Sequence, residues 1–175
     1  MTVWVILAGL PGTGKSTLAR ALANRLGGAI LDKDRVRQAL FPGPLTDYTR
    51  EQDDLCMRAI FHAAAYLTRN ARAEFVFLDG RTYSRREQID EAVSAAELAG
   101  AAWKILHVVC ADSVAEQRLA RLDAENPARN RNAALYREIK ARFEEILLPH
   151  MVVDTTGGVD GFAVDAIVDE LSKGR

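Results

Sequence analysis

The stretch Gly9-Leu10-Pro11-Gly12-Thr13-Gly14-Lys15-Ser16 constrains this chain more than any other. Three glycines at positions 9, 12 and 14 let the backbone turn tightly with its N–H groups facing inward, where side chains would block whatever the turn encloses. Before it runs Val3 to Ala8, a continuous apolar stretch that fits a strand buried on both faces. After it, Leu18, Ala19, Leu22, Ala23 and Leu26 recur at helical spacing over residues 15–26, and Gly27-Gly28 supplies a stop. A buried strand, a glycine turn and a helix in that order require a sheet with layers on both sides. The inward N–H groups and the positive helix end suit a phosphate. Lys15 adds a mobile cation for phosphate oxygens, and the Ser16 hydroxyl is a ligand for Mg²⁺. No Asp or Glu precedes Asp32, so the opening unit is electropositive. Gly9, Leu10, Pro11, Gly12, Thr13, Gly14, Lys15, Ser16 and Thr17 are therefore expected to cradle a nucleotide's phosphates.

The remainder of the chain alternates in the same way. Strands are expected at Ala29 to Leu31, Phe75 to Leu78, Lys104 to Val109 and Met151 to Val153. Helices are expected at Asp34 to Leu40, Arg50 to Asn70, Ser84 to Leu98, Ser113 to Leu122, Ala133 to Leu147 and Phe162 to Leu171, with Ser113 as an N-cap. Phe41-Pro42-Gly43-Pro44 breaks the third of the helical stretches from the second. Five strands interleaved with helices imply right-handed crossovers and a five-stranded parallel sheet, a three-layer α/β domain over residues 1–175. That length can bury about 70% of the unfolded surface without a disulfide or metal staple. Cys56 and Cys110 match no metal spacing and are read as reduced and inert, which with the absence of a basic leader or a membrane-length apolar run suggests a cytoplasmic protein. The 23 Lys and Arg against 24 Asp and Glu disfavour a dedicated nucleic-acid binder while allowing a local basic patch.

A phosphate cradle serves kinases, switches and motors alike. Guanine-nucleotide switches use Asn-Lys-x-Asp, which does not occur here. Motor ATPases of the AAA+ kind place an acid after the strand-end aspartate, but Gly80 follows Asp79, and the chain leaves no room for their helical lid domain. Asp79, closing the Phe75 strand, is expected to reach Mg²⁺ through water. Asp34 and Arg37 stand at i, i+3 on one face of a short helix after the second strand. Transfer to an alcohol needs a carboxylate to take the hydroxyl proton and a cation to hold the acceptor; the competing reading is a solvated helical first turn.

Gly9 to Thr17, Asp34-x-x-Arg37, Val76-Phe77-Leu78-Asp79-Gly80-Arg81-Thr82 and the Arg-rich segment after Ser113 together resemble the small P-loop kinases. That group includes polynucleotide 5′-hydroxyl kinases, gluconate kinases, zeta-toxin-like and antibiotic phosphotransferases and adenylylsulfate kinases, and the resemblance spans most of the chain. It implies the P-loop nucleoside triphosphate hydrolase fold, Mg²⁺-ATP as phosphoryl donor, Asp34 as general base and Arg37 as the group that orients the acceptor. Leu31-Asp32-x-Asp34-x-x-Arg37 is similar to adenylylsulfate kinases in particular, but Phe77-Leu78-Asp79-Gly80 stands where they have Phe-Ile-Ser-Pro, and their later Phe-Thr-Gly-Ile is missing.

Arg118, Arg121, Arg129 and Arg131 surround a polar segment and suit a short lid over about 118–132 that closes on the transferring phosphoryl. A charged surface loop is the plainer alternative. Arg118 and Arg121 are expected to act there, and the resemblance implies that Arg118 stacks on adenine opposite Thr155-Thr156-Gly157, with Thr156 at the nucleotide. Tyr48, Arg81, Thr82, Tyr83 and Arg85 are candidates for the acceptor pocket, although either tyrosine could equally be a packing residue. His62, His107 and His150 look scattered and structural. The expected activity is phosphoryl transfer from ATP to a small-molecule hydroxyl, by a monomer or homodimer away from membranes. A polynucleotide 5′-hydroxyl kinase or an adenylylsulfate kinase is the alternative within that class, and a non-catalytic ATP-binding switch or adaptor is the alternative outside it.

Overall fold

The apolar run Val3–Ala8 becomes β1, the central strand of a five-stranded sheet, and all six of its residues are buried. The computed structural model describes residues 1–121 and 132–173. The other strands are β2 (Ala29–Asp32), β3 (Phe75–Asp79), β4 (Ala102–Val109) and β5 (Met151–Asp154). Their order is β2-β3-β1-β4-β5 and every pair is parallel. Seven α-helices join them among the described residues: α1 (Lys15–Leu26), α2 (Lys33–Leu40), α3 (Arg50–Arg69), α4 (Arg86–Leu98), α5 (Asp112–Arg121), α6 (Ala133–Ala141) and α7 (Gly161–Ser172). No helix among them is long and apolar enough to cross a membrane.

Side chains alternate across the sheet, so each strand feeds two cores. Val3, Val5 and Leu7 pack with Leu18 and Leu22 of α1 and Val164, Ile167 and Leu171 of α7. Trp4, Ile6 and Ala8 pack with Met57 and Ile60 of α3 and Ile89, Ala92 and Val93 of α4 on the opposite face. The indole of Trp4 donates to Thr68 Oγ1 at 2.9 Å, so its one polar atom is satisfied inside that core. The helix after β1 therefore covers one face and the helix after the neighbouring β3 covers the other. Chains that leave adjacent strand ends in opposite directions open a crevice between them, the usual ligand site of such sheets. Here the glycine turn and Asp79 flank that crevice.

Two local expectations are corrected. Ser113 lies inside α5, where Ala111 accepts the first helical bonds from Val114 and Ala115, so Ser113 is not the N-cap. The helix expected over 133–147 ends at Ala141. Beyond it the chain is tied to the α4 entrance, because Glu144 N donates to Ser84 O at 2.9 Å and Glu144 Oε2 accepts from Arg86 N at 2.8 Å. That path buries Ile146 and lays Phe143 on His107, contacts a continued helix would forfeit. Helix α4 correspondingly begins at Arg86 instead of Ser84.

Candidate active site

Gly9 has φ +143°, and a Cβ there would stand 2.2 Å from the Val108 carbonyl of β4, so the turn needs glycine at its start. Gly9 N donates to Thr82 O at 2.9 Å, which ties the turn to the loop after β3. Lys15, the first residue of α1, is buried, and its ammonium donates to the carbonyls of Gly9 and Leu10 at 2.8 and 2.7 Å. The lysine is thereby held back across the turn that precedes it. Ser16 is half-buried and Thr17 exposed on the same helical end.

Asp32 ends β2 and caps α2, accepting from Asp34 N at 2.8 Å and Arg35 N at 3.4 Å. This cap starts the helix so that Asp34 and Arg37 share its buried face. Arg37 Nη1 meets Asp34 Oδ1 at 3.1 Å, and Nη2 contacts Asp53 of α3. Asp53 also takes Lys33 Nζ at 3.0 Å. The Arg37 guanidinium lies 5.1 Å from the Tyr48 ring centroid, a cation–π contact. Tyr48 holds that position at φ +56°, a left-handed conformation uncommon outside glycine.

Asp79 ends β3 directly beside Asp32, its register partner, and is buried, with no hydrogen-bond partner for Oδ1 among the described residues. Burial, followed by the charges of Asp79 and Asp34, pushes the Asp32 carboxyl above its ordinary range. A cation arriving there would relieve that repulsion. Among the described residues no three His, Cys, Asp or Glu side chains form a metal cage. The donor set instead fits a Mg²⁺ that keeps most of its ligands as phosphates and water, with one or two protein oxygens from Ser16 and Asp79. Gly80, at φ +87°, lets the chain pass α2, since a Cβ would stand 2.8 Å from Lys33 N.

A cavity of about 400 Å³ opens beside the turn. Pro11, Asp34, Arg37, Tyr48, Arg81, Thr82 and Arg85 all line it, so the structure brings together most of the residues expected at the acceptor. Arg81 is buried and paired with Asp54 at 3.3 Å and Glu91 at 3.2 Å, while Arg85 pairs with Glu87 at 3.0 Å. Leu135 and Ile139 of α6 and Arg142 close the far side. Tyr83 is not among the lining residues; it is a core residue at φ +51°, and burial pushes its phenol far above the ordinary tyrosine range. Tyr83 Oη has no hydrogen-bond partner among the described residues.

On the other flank of the turn, Arg118 of α5 donates to Thr155 O at 2.6 Å, Thr155 Oγ1 at 3.1 Å and Gly12 O at 3.4 Å. Thr155 Oγ1 in turn donates to Thr13 O at 2.7 Å. Thr156 instead closes its own turn on Asp154 and accepts from Ala111 N. Arg121 is exposed at the end of α5. Arg129 and Arg131, and the rest of the expected lid at 122–131, lie outside the described residues.

Sequence reasoning missed Asp53 and Arg142. It set the turn Thr155-Thr156-Gly157 opposite Arg118 and expected Thr156 at the nucleotide, whereas it is Thr155, the residue after β5, that joins Arg118 to the phosphate turn. Asp53 sits in an acidic first helical turn that reads as solvated, and nothing local marks it. The histidines are less scattered than expected: the His107 ring stacks on Phe143, and His150 approaches edge-on with 5.8 Å between centroids. Burial, His150 and Lys15 hold the His107 pKa below its ordinary value. Cys56 is buried, Cys110 only half-buried, and burial pushes both thiols up, away from reactivity.

Solved structures share this fold. A candidate kinase from Chloroflexus aurantiacus is 23% identical with a TM-score of 0.77, over 97% of this chain and 96% of that one. The Mycobacterium tuberculosis APS kinase CysC, in complex with AMPPNP and APS, is 18% identical with a TM-score of 0.67, over 97% and 98%. Chaetomium thermophilum Kti12, in complex with ADP-AlF₃, is 15% identical with a TM-score of 0.71, over 96% of each chain. No curated protein matches the chain in sequence. The chain shares its fold with these structures, and a family model described as AAA domain matches residues 4–146: the chain belongs to that family.

Proposed function

We propose that this protein transfers the γ-phosphoryl group of ATP to a hydroxyl of a small molecule bound in the cavity. The observation that carries the reading is the shared wall: Pro11 of the phosphate turn lines the same cavity as Asp34 and Arg37. A carboxylate and a guanidinium, locked 3.1 Å apart on a capped helix, thus face the space where an acceptor would meet the turn.

In this reading the backbone of residues 9–14 and Lys15 hold the β- and γ-phosphates. Mg²⁺, held by Ser16 and reached by Asp79 through water, would neutralise charge on those phosphates. Asp34 accepts the proton of the acceptor hydroxyl, whose oxygen forms the new bond to the γ-phosphorus. The bond from that phosphorus to the β–γ bridging oxygen breaks, and ADP leaves with its electron pair. Arg37 orients the acceptor, and its own orientation is fixed by Asp53 and Tyr48. Arg118 holds the nucleotide edge of the turn through Thr155 and Gly12, and Arg121, exposed at the end of α5, adds a cation for the transferring phosphoryl. Gly80 stands in the position after Asp79 where motor ATPases carry the acid that activates water, which favours transfer over hydrolysis.

The test is ADP release and phosphorylated product from Mg²⁺-ATP across sugars, nucleosides, aminoglycosides, adenylylsulfate and 5′-hydroxyl oligonucleotides. One acceptor class should raise turnover well above ATP alone, with one product per ADP. Tight ATP binding with no product from any class would sink the kinase reading and favour a nucleotide switch.

A further inference from the structure

Resting on that reading, we propose that Gln88 is a specificity-determining residue: its side-chain N–H₂ donates to a second oxygen of the acceptor, apart from the hydroxyl that receives the phosphoryl group. The six cations of the cavity wall are already committed, because each meets a carboxylate. Arg81, for example, is held by Asp54 and Glu91, and Arg142 by Glu138. A neutral group that reads the acceptor must be one whose hydrogen bond the protein leaves open. Gln88 is such a group. It lines the cavity, is only 8% exposed, and none of the described residues accepts from its Nε2.

The amide has a fixed orientation. Gln88 is the third residue of α4, and its Oε1 accepts from Arg85 N at 3.4 Å. A backbone N–H can donate only to the oxygen of an amide, so this contact settles which end is which and turns the N–H₂ end away from the chain. The contact belongs to the start of the helix. Arg85, in the capping position, has no acceptor in its side chain, and Gln88 reaches back to satisfy the backbone donor there. The same start is pinned from the opposite wall: Glu144 N donates to Ser84 O at 2.9 Å, and Glu144 Oε2 accepts from Arg86 N at 2.8 Å. Arg142, two residues before Glu144, lines the far side of the cavity. The segment that carries the amide is thereby tied to both walls, which gives a directional hydrogen bond the precision it needs. Nε2 is not sealed in the protein, so the surface that Gln88 keeps faces the cavity. An acceptor with an oxygen at that point gains a bond, whereas one with a methylene there strands the donor away from water. Asp34 stands on α2 and Gln88 on α4, so the two grip different parts of the acceptor.

The test uses the full chain with Mg²⁺ and has two readouts. In the first, NMR follows the Gln88 side-chain amide of isotopically labelled protein saturated with a non-hydrolysable ATP analogue. Glucose, gluconate, adenosine, adenylylsulfate and an aminoglycoside are added in turn. At least one of them should move the amide signals, and its analogue lacking the oxygen concerned should not. In the second, kcat/KM with ATP is compared between the best acceptor and analogues that each lack one oxygen. The parent should discriminate against one analogue about tenfold or more, and Gln88→Met should reduce that ratio to about two or less while the other ratios stay as they were. A loss of helix packing alone would not single out one analogue. Should Gln88→Met fail to fold, the amide signals of the parent decide. Signals that no compound moves, or a ratio that survives in Gln88→Met, would overturn the proposal. A compound that moves the amide yet is never phosphorylated refutes the kinase reading alone, and an acceptor that is phosphorylated with the amide unmoved refutes the role of Gln88 alone.

Discussion

Asp53 is the residue on which the geometry of Arg37 depends most, and replacing it has calculable consequences. Its carboxylate joins two side chains from α2, Lys33 at 9% exposure and Arg37 at 5%, to the first turn of α3. At the 3.0 Å Lys33 contact, a unit charge pair in an effective dielectric near 20 is worth about 5 kcal/mol before desolvation. Water reaches Asp53, which is 29% exposed, and Asp34 remains to neutralise Arg37, so the net loss in Asp53→Asn should be only about 1–2 kcal/mol. For a domain of this size that corresponds to a fall in Tm of about 2–8 °C. The functional cost should be larger than the stability cost. With its second partner weakened Arg37 can rotate, and kcat/KM for the acceptor should fall about 10- to 100-fold while KM for ATP stays put. Thermal unfolding followed by circular dichroism, with steady-state kinetics on the same preparations, measures both. Asp53→Ala, which also removes the hydrogen-bond acceptor, should be worse on each count. If both variants keep the parental Tm and acceptor kinetics, Asp53 does not position Arg37 and the construction of the site given above is wrong.

Gly9→Ala should lower stability by about 2–5 kcal/mol, combining a left-handed conformation with a clash against backbone that cannot swing away; unchanged chemical denaturation would contradict the turn geometry. The pH dependence of stability has a definite sign at His107. Because its pKa is held down in the folded state, the unfolded chain takes up the proton first as pH falls below about 6.5, so stability should drop from there down to the folded-state pKa. His107→Gln should flatten that slope between pH 7 and 5 in urea unfolding, and an identical slope in both proteins would assign the effect elsewhere. Arg118→Ala should raise KM for ATP with little change in KM for the acceptor, since among the described residues Arg118 donates to the turn and to Thr155; an acceptor effect of equal size would contradict that division.

The parts of this structure that could be read from sequence are those whose causes are local. β1 and α1 fall where an unbroken apolar run, three glycines and a helical repeat place them, because each cause lies within a few residues of its effect. The capped turn at Asp32 that brings Asp34 and Arg37 to one face is likewise local. What escaped notice depends on tertiary partners. Ala133 to Leu147 has the periodicity of one helix, yet Ile146 and Phe143 gain more by packing into the sheet's second core than by continuing it. Asp53 looks like a solvated helix start until α2 lays Lys33 and Arg37 against it. The meeting of Arg50, Arg81 and Arg142 around one cavity could not be read either, since they converge from segments far apart in sequence.

Rapid-quench measurement of a single turnover, comparing the parent with Asp34→Asn on the best acceptor, addresses the central claim most directly. Asparagine keeps the shape of the side chain and can still accept from Arg37, but it cannot take the acceptor's proton. The account predicts a transfer rate about 10²- to 10⁴-fold slower, with ATP affinity within about twofold of the parent. An Asp34→Asn protein that transfers the phosphoryl group at the parental rate would contradict it.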